Sequence, residues 1–456
     1  MSGLPTSWAD IELSVVAQVT SGIGFPNEYQ GHTSGDLPFF KVSDISHAVL
    51  ANRGELKTAN HYVSHEVAEK LKGKPLAPGS TVFAKIGEAV RLNRRATVTT
   101  PCLIDNNVMA VKARDGVDDR YVHQFLRTID FGESARSTTV PSLRKGDVEE
   151  LRFPLAPAAE QKRIADKLDT VLTRVDAVNT RLARVAPLLK RFRQSVLAAA
   201  TSGRLTEDWR EIRETAPWTD KRIEDVAKVF LGRQRSPVNH EGPFMRRYVR
   251  AANVTWSGWD LSDVKEMNFD ADDFERYRLQ KNDILLNEGS GSADEVGKPA
   301  IWNEEIPDCC FQNTLICVRP ETVDAKFMFL VLLHAALTKR FVDSTRGVNI
   351  HHIGKQNMAR FPVAVPNADE QTEIVRRVET LFAFADRLEA RLAQAQTAAT
   401  RLTPALLAKA FRGELVPQDP NDEPAAELLR RLQAERATAP KASAGRGRKA
   451  AVRSEG

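Results

Sequence analysis

Two long stretches of the chain place apolar residues alternately four and three positions apart. The spacing runs from Ile164 to Val196 in the first stretch and from Ile374 to Leu406 in the second. Alternation of four and three is typical of the a and d positions of a coiled coil. Each stretch covers 33 residues, which would form a helix roughly 50 Å long at about 1.5 Å per residue. The pattern therefore predicts two long helices with matching apolar seams.

The predicted seam is well suited to pairing one helix with the other in an antiparallel coiled coil. Gly203 and Gly413 follow the seams and should end the helices, whereas Pro187 falls inside the first and should kink or interrupt it. Two ordinary amphipathic helices packed on separate domains are the alternative interpretation. The seam residues are Ile164, Leu168, Val171, Val175, Val178, Leu182, Val185 and Leu189 in the first helix, with Ile374, Val378, Leu381, Leu388, Leu392 and Leu402 in the second.

The segments in front of the helices show a different pattern. Short β-like runs at 80–84, 108–111, 283–286 and 314–318 are separated by Gly, Pro and Asn turns. Each front segment also has one late helical patch, near 121–129 and 327–337. The predicted fold class is α/β (α+β), with two mixed α/β domains in a pseudo-twofold repeat, separated by the two long antiparallel helices.

The repeat is visible as self-similarity at a constant offset of 210 residues. Trp8 and Gly22 recur as Trp218 and Gly232 at the start of each copy. Glu160-Gln161 recurs as Glu370-Gln371 near its end, whereas the sequence between these anchors diverges. The predicted domains are 1–152 and 211–360 (the front segments), 153–210 and 361–416 (the helical regions), and 417–456, a basic and partly disordered C-terminal extension.

Composition narrows the class of protein only moderately. With 456 residues, two or three domains are expected. A net charge of +5 permits nucleic-acid binding without requiring it. The four cysteines have no CxxC spacing, and no secretory signal or membrane-length apolar run is present. A cytoplasmic protein is therefore expected.

Motifs for catalysis on DNA or nucleotides are missing from the sequence. The glycine cluster at 288–292, followed by Gly297-Lys298-Pro299, lacks the spacing of a phosphate-binding loop. The adjacent pair His351-His352 would point to opposite faces of a strand, which disfavours metal binding. No methyl-transfer motif or nuclease-like acidic cluster stands out, so we expect no catalytic or metal site in this chain.

The whole pattern resembles the specificity subunit of type I restriction–modification systems. Two front segments, each followed by a Pro-Glu-Gln entry and a long heptad helix ending in Gly-x-Leu, carry the resemblance. Its most specific parts are 153–164, 200–205, 361–374, 410–415 and 416–420. Departures from the family pattern are Pro187, the alanines in the second seam and the long basic tail.

The resemblance implies a non-catalytic subunit that directs adenine methylation and restriction by its partners. In the family, each front segment recognises half of a bipartite site in double-stranded DNA, and the helices set the spacing and bind methyltransferase subunits. Two methyltransferase subunits, with motor–nuclease subunits in the full complex, are the implied partners, and no membrane is involved. S-adenosylmethionine, ATP and Mg would belong to those partners. Because the front segments differ, the target should be asymmetric.

Candidate DNA contacts are polar loop residues that can engage base edges or phosphates. Three other functions stay open as alternatives to a type I specificity subunit. They are a recognition subunit of a methylation-only or phage-exclusion system, a coiled-coil scaffold without DNA specificity, and an unrecognised nuclease. The candidate contacts are Lys85, Arg91, Asn93, Arg94, Arg95, Arg136 and Thr138 in the first front segment, and Arg233, Gln234, Arg235, Asn287, Ser290, Lys298, Arg346, Asn349 and His351 in the second.

Overall fold

The computed structural model describes residues 3–134, 140–237, 240–292, 294–341 and 351–438. These residues form two compact units. The first unit comprises the chain up to Thr180 together with the part from Gln396 onward, and the second unit is Arg181–Ala395. Each unit therefore contains one front segment and parts of both long helices.

The first unit combines short strands with helices of very different length. Its strands are β1 (Ala9–Glu12), β2 (Ala17–Ser21), β3 (Leu37–Phe40), β4 (Glu55–Leu56), β5 (Tyr62–Val63), β6 (Thr81–Ala84), β7 (Arg95–Val98), β8 (Leu103–Ile104), β9 (Val108–Ala113) and β10 (Arg152–Leu155). Its helices are α1 (Leu13–Val16), α2 (Val42–Ala51), α3 (His65–Lys70), α4 (Asp119–Leu126), α5 (Phe131–Ser134), α6 (Lys145–Glu149) and the beginning of α7 (Ala158–Thr201).

The second unit repeats this composition with additional short strands. Its strands are β11 (Thr219–Arg222), β12 (Ala227–Leu231), β13 (Met245–Val249), β14 (Val254–Thr255), β15 (Gly258–Trp259), β16 (Lys265–Asn268), β17 (Ile284–Asn287), β18 (Gly289–Ser290), β19 (Pro299–Ile301), β20 (Cys310–Phe311), β21 (Leu315–Pro320), β22 (His351–His352) and β23 (Pro362–Val365). Its helices are α8 (Glu207–Arg213), α9 (Ala271–Tyr277), α10 (Ala325–Leu337), α11 (Lys355–Ala359) and the beginning of α12 (Ala368–Phe411). The last helix of the described chain, α13 (Ala425–Thr438), belongs to the first unit.

The sheets of the two units have matching topology. The main sheet has the order β2-β9-β6-β7-β4 in the first unit and β12-β21-β17-β19 in the second. A smaller sheet follows, β5-β3-β8 or β16-β13-β20, in which one strand pair is parallel and the other antiparallel. Both front segments are therefore mixed α/β folds of one kind, which confirms the predicted fold class and the repeat. The predicted runs at 80–84, 108–111, 283–286 and 314–318 are β6, β9, β17 and β21.

The constant sequence offset is reproduced in the strand pair that closes each unit. Ala9 pairs with Leu155 in the β1–β10 ladder, and Thr219 pairs with Val365 in the β11–β23 ladder. Both partners are displaced by the same 210 residues between the copies. The shared backbone frame explains why similarity survives at the two ends of each front segment.

The repeated Glu-Gln pair serves a structural purpose at the start of each long helix. Gln161 Oε1 accepts from the backbone N–H of Asp118 at 3.0 Å, and Gln371 Oε1 accepts from that of Asp324 at 2.7 Å. Asp118 and Asp324 are the N-caps of α4 and α10. The glutamine therefore ties the long helix to the late helix of the front segment.

The repeated glycines Gly22 and Gly232 mark a close approach of two backbones. A Cβ atom added at Gly22 would clash with the carbonyl oxygens of Ile104 and Asp105. A Cβ atom at Gly232 would clash in the same way with the carbonyl groups of Phe311 and Gln312. Only glycine fits where the main sheet meets the smaller one.

The two long helices pack against each other in antiparallel fashion inside each unit. In the first unit, Leu168 and Leu172 near the start of α7 join a core with Leu407 and Ala410 near the end of α12. In the second unit, Val196 and Leu197 near the end of α7 join a core with Ile374 and Val378 near the start of α12. The predicted antiparallel coiled coil is confirmed, and packing on separate domains without contact is excluded.

Three details of the helices differ from the sequence-based expectation or refine it. Helix α7 continues over 44 residues with Pro187 inside it, so the proline does not interrupt the helix. A second proline, Pro404, lies inside α12, which is also 44 residues long. At each proline the helix lacks one backbone hydrogen bond, because proline has no N–H to donate. Gly203 and Gly413 have φ angles of +77° and +76° and follow the helix ends as predicted.

Two predicted seam positions do not lie at the buried interface. The side chains of Val178 and Leu402 are 44% and 46% exposed. In α12, Leu407 is 4% exposed and lies in the core of the first unit, with Leu406 partly buried against it, so after Ala399 the buried stripe passes through Leu407 rather than Leu402. The shift occurs around Pro404, which has no backbone N–H for the helical hydrogen-bond pattern.

The C-terminal extension begins with a segment that is folded onto the first unit. Ala425, Leu428 and Leu432 of α13 belong to its hydrophobic core. Arg163 forms an ion pair of 2.5 Å with Asp422 just before α13. The basic tail beyond residue 438 lies outside the described residues. No helix in the described part of the chain has the length and apolar composition of a membrane span.

Candidate nucleic-acid interface

One end of each main sheet collects most of the predicted DNA contacts. In the first unit, Phe83 pairs with Arg95 and Ala84 pairs with Val108, so β6 ends where β7 and β9 begin. In the second unit, Asn287 pairs with Leu315 and Leu286 pairs with Pro299, so β17 ends where β21 and β19 begin. We call this end of the main sheet, where β6 or β17 finishes, the loop end of the sheet.

At the loop end of the first unit, two segments of the chain are held side by side. The backbone N–H of Leu143 donates to the carbonyl of Lys85 at 2.8 Å, and that of Gly87 donates to the carbonyl of Pro141 at 2.8 Å. A Cβ atom built on Gly132 would lie 3.3 Å from Cα of Arg91. The loop 85–94 therefore lies beside both the residues that precede and those that follow 135–139. Arg136 and Thr138 themselves lie outside the described residues.

The second unit repeats this arrangement with different side chains. The backbone N–H of Ile353 donates to the carbonyl of Glu288 at 2.9 Å, as Leu143 does to Lys85. The N–H groups of Lys85 and Glu288 donate to Asn107 and Thr314, at 2.9 and 3.0 Å. Lys85 and Glu288 thus hold equivalent positions with opposite charge.

The loop after Glu288 forms a short ladder with the strand that follows 342–350. Gly289 pairs with His352 and Ser290 with His351, and His352 Nδ1 lies 2.8 Å from Oε2 of Glu288. Arg346 and Asn349, and the side chain of His351, lie outside the described residues. The structure therefore brings Asn287 and Ser290 together with the backbone of His351.

Two predicted contacts of the first unit use their polar groups inside the protein. The buried Arg95 donates to the carbonyl of Ile129 at 2.5 Å, and its guanidinium lies 4.5 Å from the centre of the Phe131 ring. Burial lowers the pKa of Arg95 to about 10. Asn93 accepts from the Phe131 N–H at 2.8 Å and donates to Asp130 at 2.5 Å. This arrangement favours a structural role for Arg95 and Asn93, and their contact with DNA stays a prediction.

In the second unit, two predicted contacts are similarly occupied and a third is buried. Arg233 pairs with Asp273 and lies 5.0 Å from the centre of the Phe269 ring. Lys298 is buried and pairs with Glu295. Asn287 is also buried, and its Oδ1 has no hydrogen-bond partner among the described residues. Arg233 and Lys298 shape the loop end, and Asn287 retains an unused acceptor there.

The remaining predicted contacts are at least partly open to solvent. Arg91 is exposed and lies 3.8 Å from Glu88, while Arg235 donates to His240 at 3.1 Å. Both contacts lie on the surface, so each arginine can leave its partner and bind a phosphate or a base edge instead. The residues of this accessible set are Lys85, Arg91, Arg94, Gln234, Arg235 and Ser290.

Sequence reasoning omitted the apolar residues of the same loops. Ile86 and Leu92 are 39% and 54% exposed, although both are large and hydrophobic. Polarity, the property that the candidate contacts share, does not identify these two side chains. Their signal in the sequence is an isolated aliphatic residue among basic loop residues, with no periodicity that would bury it.

The reactive side chains of the described chain include buried cysteine thiols. Burial raises the pKa of the Cys102, Cys309 and Cys310 thiols to about 12. Within the described ranges, no group of three or more His, Cys, Asp or Glu side chains could hold a metal ion. The side chains accessible at the loop ends offer hydrogen bonds, charge and apolar contact.

The comparisons with known proteins agree on one family. Residues 5–186 and 216–396 match the type I restriction modification DNA specificity domain. The specificity subunit of the type I restriction enzyme EcoBI of Escherichia coli is 28% identical over 94% of this chain and 93% of its own length. The EcoKI specificity subunit of Escherichia coli strain K12 is 32% identical over 65% of this chain and 67% of its own.

Solved structures show the same fold. A chain from a study of complex assembly and conformational transition of the type I R-M system superposes with a TM-score of 0.66 at 18% identity, covering 91% of this chain and 100% of that one. The HsdS subunit from Thermoanaerobacter tengcongensis gives a TM-score of 0.59 at 18% identity, covering 90% and 98%. With two copies of the family domain on one chain and relatives similar over nearly its full length, this chain belongs to the specificity subunits of type I restriction–modification systems.

Proposed function

We propose that the chain recognises a bipartite DNA sequence and directs adenine methylation and restriction by partner subunits to it. The observation that carries this proposal is the repeated loop end. The loop ends of the two main sheets are equivalent, and each carries accessible polar side chains. They belong to separate units of one chain. Polar side chains on loops held by a rigid sheet suit contact with base edges and phosphates.

The target is asymmetric in this proposal because the two loop ends differ in chemistry. Lys85 in the first unit is replaced by Glu288 in the second at the equivalent position. A lysine donates to guanine or to phosphate, whereas a carboxylate accepts from the amino group of cytosine. The two half-sites are therefore different sequences.

Partner chains supply the chemistry in this proposal. Two methyltransferase subunits bind the specificity subunit, and motor–nuclease subunits join the full complex. S-adenosylmethionine, ATP and Mg are held by those partners, and this chain is a non-catalytic subunit located in the cytoplasm. The named relatives are subunits of restriction enzymes, which supports an assembly of this kind.

Sequencing of methylated bases in cells that express the chain with its methyltransferase tests the proposal. The expected result is methyladenine at one split motif with two unlike halves, lost when this chain is deleted. Methylation at a continuous motif, or an unchanged pattern without this chain, would overturn it.

A further inference from the structure

Exposed aliphatic side chains are concentrated at the loop end of the first unit. Ile86, Leu92 and Val140 are 39%, 54% and 53% exposed. Ile86 forms a bridge with Ser142, and Gly87 donates to Pro141, so Ile86 and Val140 lie on adjoining segments. A single exposed leucine needs no explanation, but three exposed aliphatic residues on the segments of one loop end do.

Leu92 is presented by a turn whose two sides are fixed. On one side Val90 is 2% exposed and packs in the core. On the other side Asn93 adopts a φ of +50° and is held by hydrogen bonds to Asp130 and Phe131. Because Val90 and Asn93 are both anchored, the turn between them holds Leu92 at the surface.

The surroundings of Leu92 favour DNA as its partner. Arg91 precedes it, and Lys85 and Arg94 belong to the same loop. Cationic side chains suit the phosphates that line the grooves of DNA. Within the major groove, the apolar group that distinguishes one base is the C5 methyl of thymine.

We propose that Leu92 is a specificity-determining residue that contacts the methyl group of a thymine in the half-site recognised by the first unit. This inference rests on the proposed function and adds one base and one contact to it. At the matching loop of the second unit, Glu288 is followed by Gly289, Ser290, Gly291 and Ser292, and the later Val296 is buried, so no described apolar side chain of this loop is exposed. The thymine contact through this loop therefore belongs to one half-site alone.

Replacement of thymine by uracil removes the methyl group and leaves every hydrogen-bonding group of the base in place. We would use the full chain bound to its methyltransferase partner and oligonucleotides that carry its methylation motif. Each thymine on either strand is replaced in turn, and the dissociation constant is measured by fluorescence anisotropy. At one position of one half-site, uracil should weaken binding about fourfold, the equivalent of losing one buried methyl-sized contact.

The variant Leu92→Ala identifies the residue responsible. Its penalty for uracil should vanish at that position and persist at any others, since the partner of the methyl group is gone. Leu4→Ala is the matched control: Leu4 is also exposed and in the first unit, but it adjoins Pro5, which lies against Gly413. Leu4→Ala should keep the full uracil penalty.

The outcomes separate this inference from the proposed function. If the complex does not prefer its motif to unrelated DNA, the proposed function fails. If it does prefer the motif, three results would overturn the role of Leu92 alone: no uracil-sensitive position, a penalty unchanged in Leu92→Ala, or equal weakening of that variant on all DNA.

Discussion

Glu160 and Glu370 occupy equivalent buried positions but face different donors. Glu160 accepts from Trp8 Nε1 at 2.8 Å and from Gln418 Nε2 at 2.5 Å, and both donors are neutral. Glu370 accepts from Trp218 Nε1 at 3.0 Å and Thr206 Oγ1 at 2.7 Å, and also from the charged Arg210 at 2.5 Å. A buried carboxylate is stabilised far better by a cationic donor than by neutral ones.

The same substitution should therefore have unequal effects at the two sites. Glu370→Gln removes a charge-assisted bond to Arg210 and should cost about 1.5–3 kcal/mol of local stability. Glu160→Gln loses at most one neutral bond, about 1 kcal/mol, and removes a buried charge in return. Hydrogen exchange in peptides at the starts of α7 and α12 measures both, and equal effects would contradict the distinction.

The charge on Glu160 also makes stability depend on pH. Burial raises the pKa of Glu160 above its usual value of 4.5, against the opposing hydrogen bonds from Trp8 and Gln418. The folded state then binds the proton more tightly than the unfolded state does. The contribution is complete below about pH 4.5 and is lost as the pH rises through the raised pKa.

The difference between wild type and Glu160→Gln isolates this contribution. The buried His123 acts with the opposite sign, because burial, Arg127 and Arg95 lower its pKa to about 3. Urea unfolding of both proteins between pH 4 and 7 is the measurement. The wild type should lose stability relative to Glu160→Gln as the pH rises, and a constant difference would contradict the raised pKa.

At the scale of elements, the two long helices are held by a seam that departs from regular heptads. Leu407 is 4% exposed and Leu402 is 46% exposed, although heptad spacing favours Leu402. Leu407 belongs to the core of the first unit, together with Leu168 and Leu172 of α7. The hydrophobic contacts of the structure, rather than the repeat of the sequence, determine which leucine joins the helices.

Two alanine substitutions five positions apart test this register. Leu407→Ala leaves a cavity in the core of the first unit and should lower its stability by about 2–5 kcal/mol. Leu402→Ala removes a half-exposed side chain outside the buried core and should change stability by about 0.5 kcal/mol or less. Thermal unfolding of the two variants is the readout, and a larger loss at Leu402 would restore the regular heptad.

At the scale of the whole molecule, the two units are separate in their cores and in their candidate recognition loops. The core around Tyr121 and Phe153 lies in the first unit, and the core around Phe327 and Val363 lies in the second. Each loop end is supported by its own main sheet. Specificity in one unit should therefore change without altering the other.

Exchange of residues 1–152 for the front segment of another family member tests this independence. The resulting chimaera keeps Glu160 and Gln161 of this chain, which tie α7 to the front segment. Methylome sequencing should show one half of the motif replaced and the other half unchanged. A change in both halves would mean that the units do not recognise DNA separately.

The sequence by itself determined the repeat, the long helices, the glycines that follow them and the central strands of the two main sheets. These features depend on periodicity or on a constant offset, which are properties of residues near in sequence or equivalent between copies. Gly203 and Gly413, for example, follow the seams at the same distance and both adopt positive φ. The family resemblance followed from the same local patterns.

Only the tertiary structure decided how individual polar and apolar residues are used. Arg95 is occupied by Ile129 and Phe131, and Arg233 by Asp273, all distant in sequence. Their polarity suggested DNA contacts, but a donor's availability depends on neighbours that folding supplies. Leu92 shows the converse, because anchored neighbours hold an apolar side chain in solvent. Side-chain type is written in the sequence, whereas its partners are set by long-range packing.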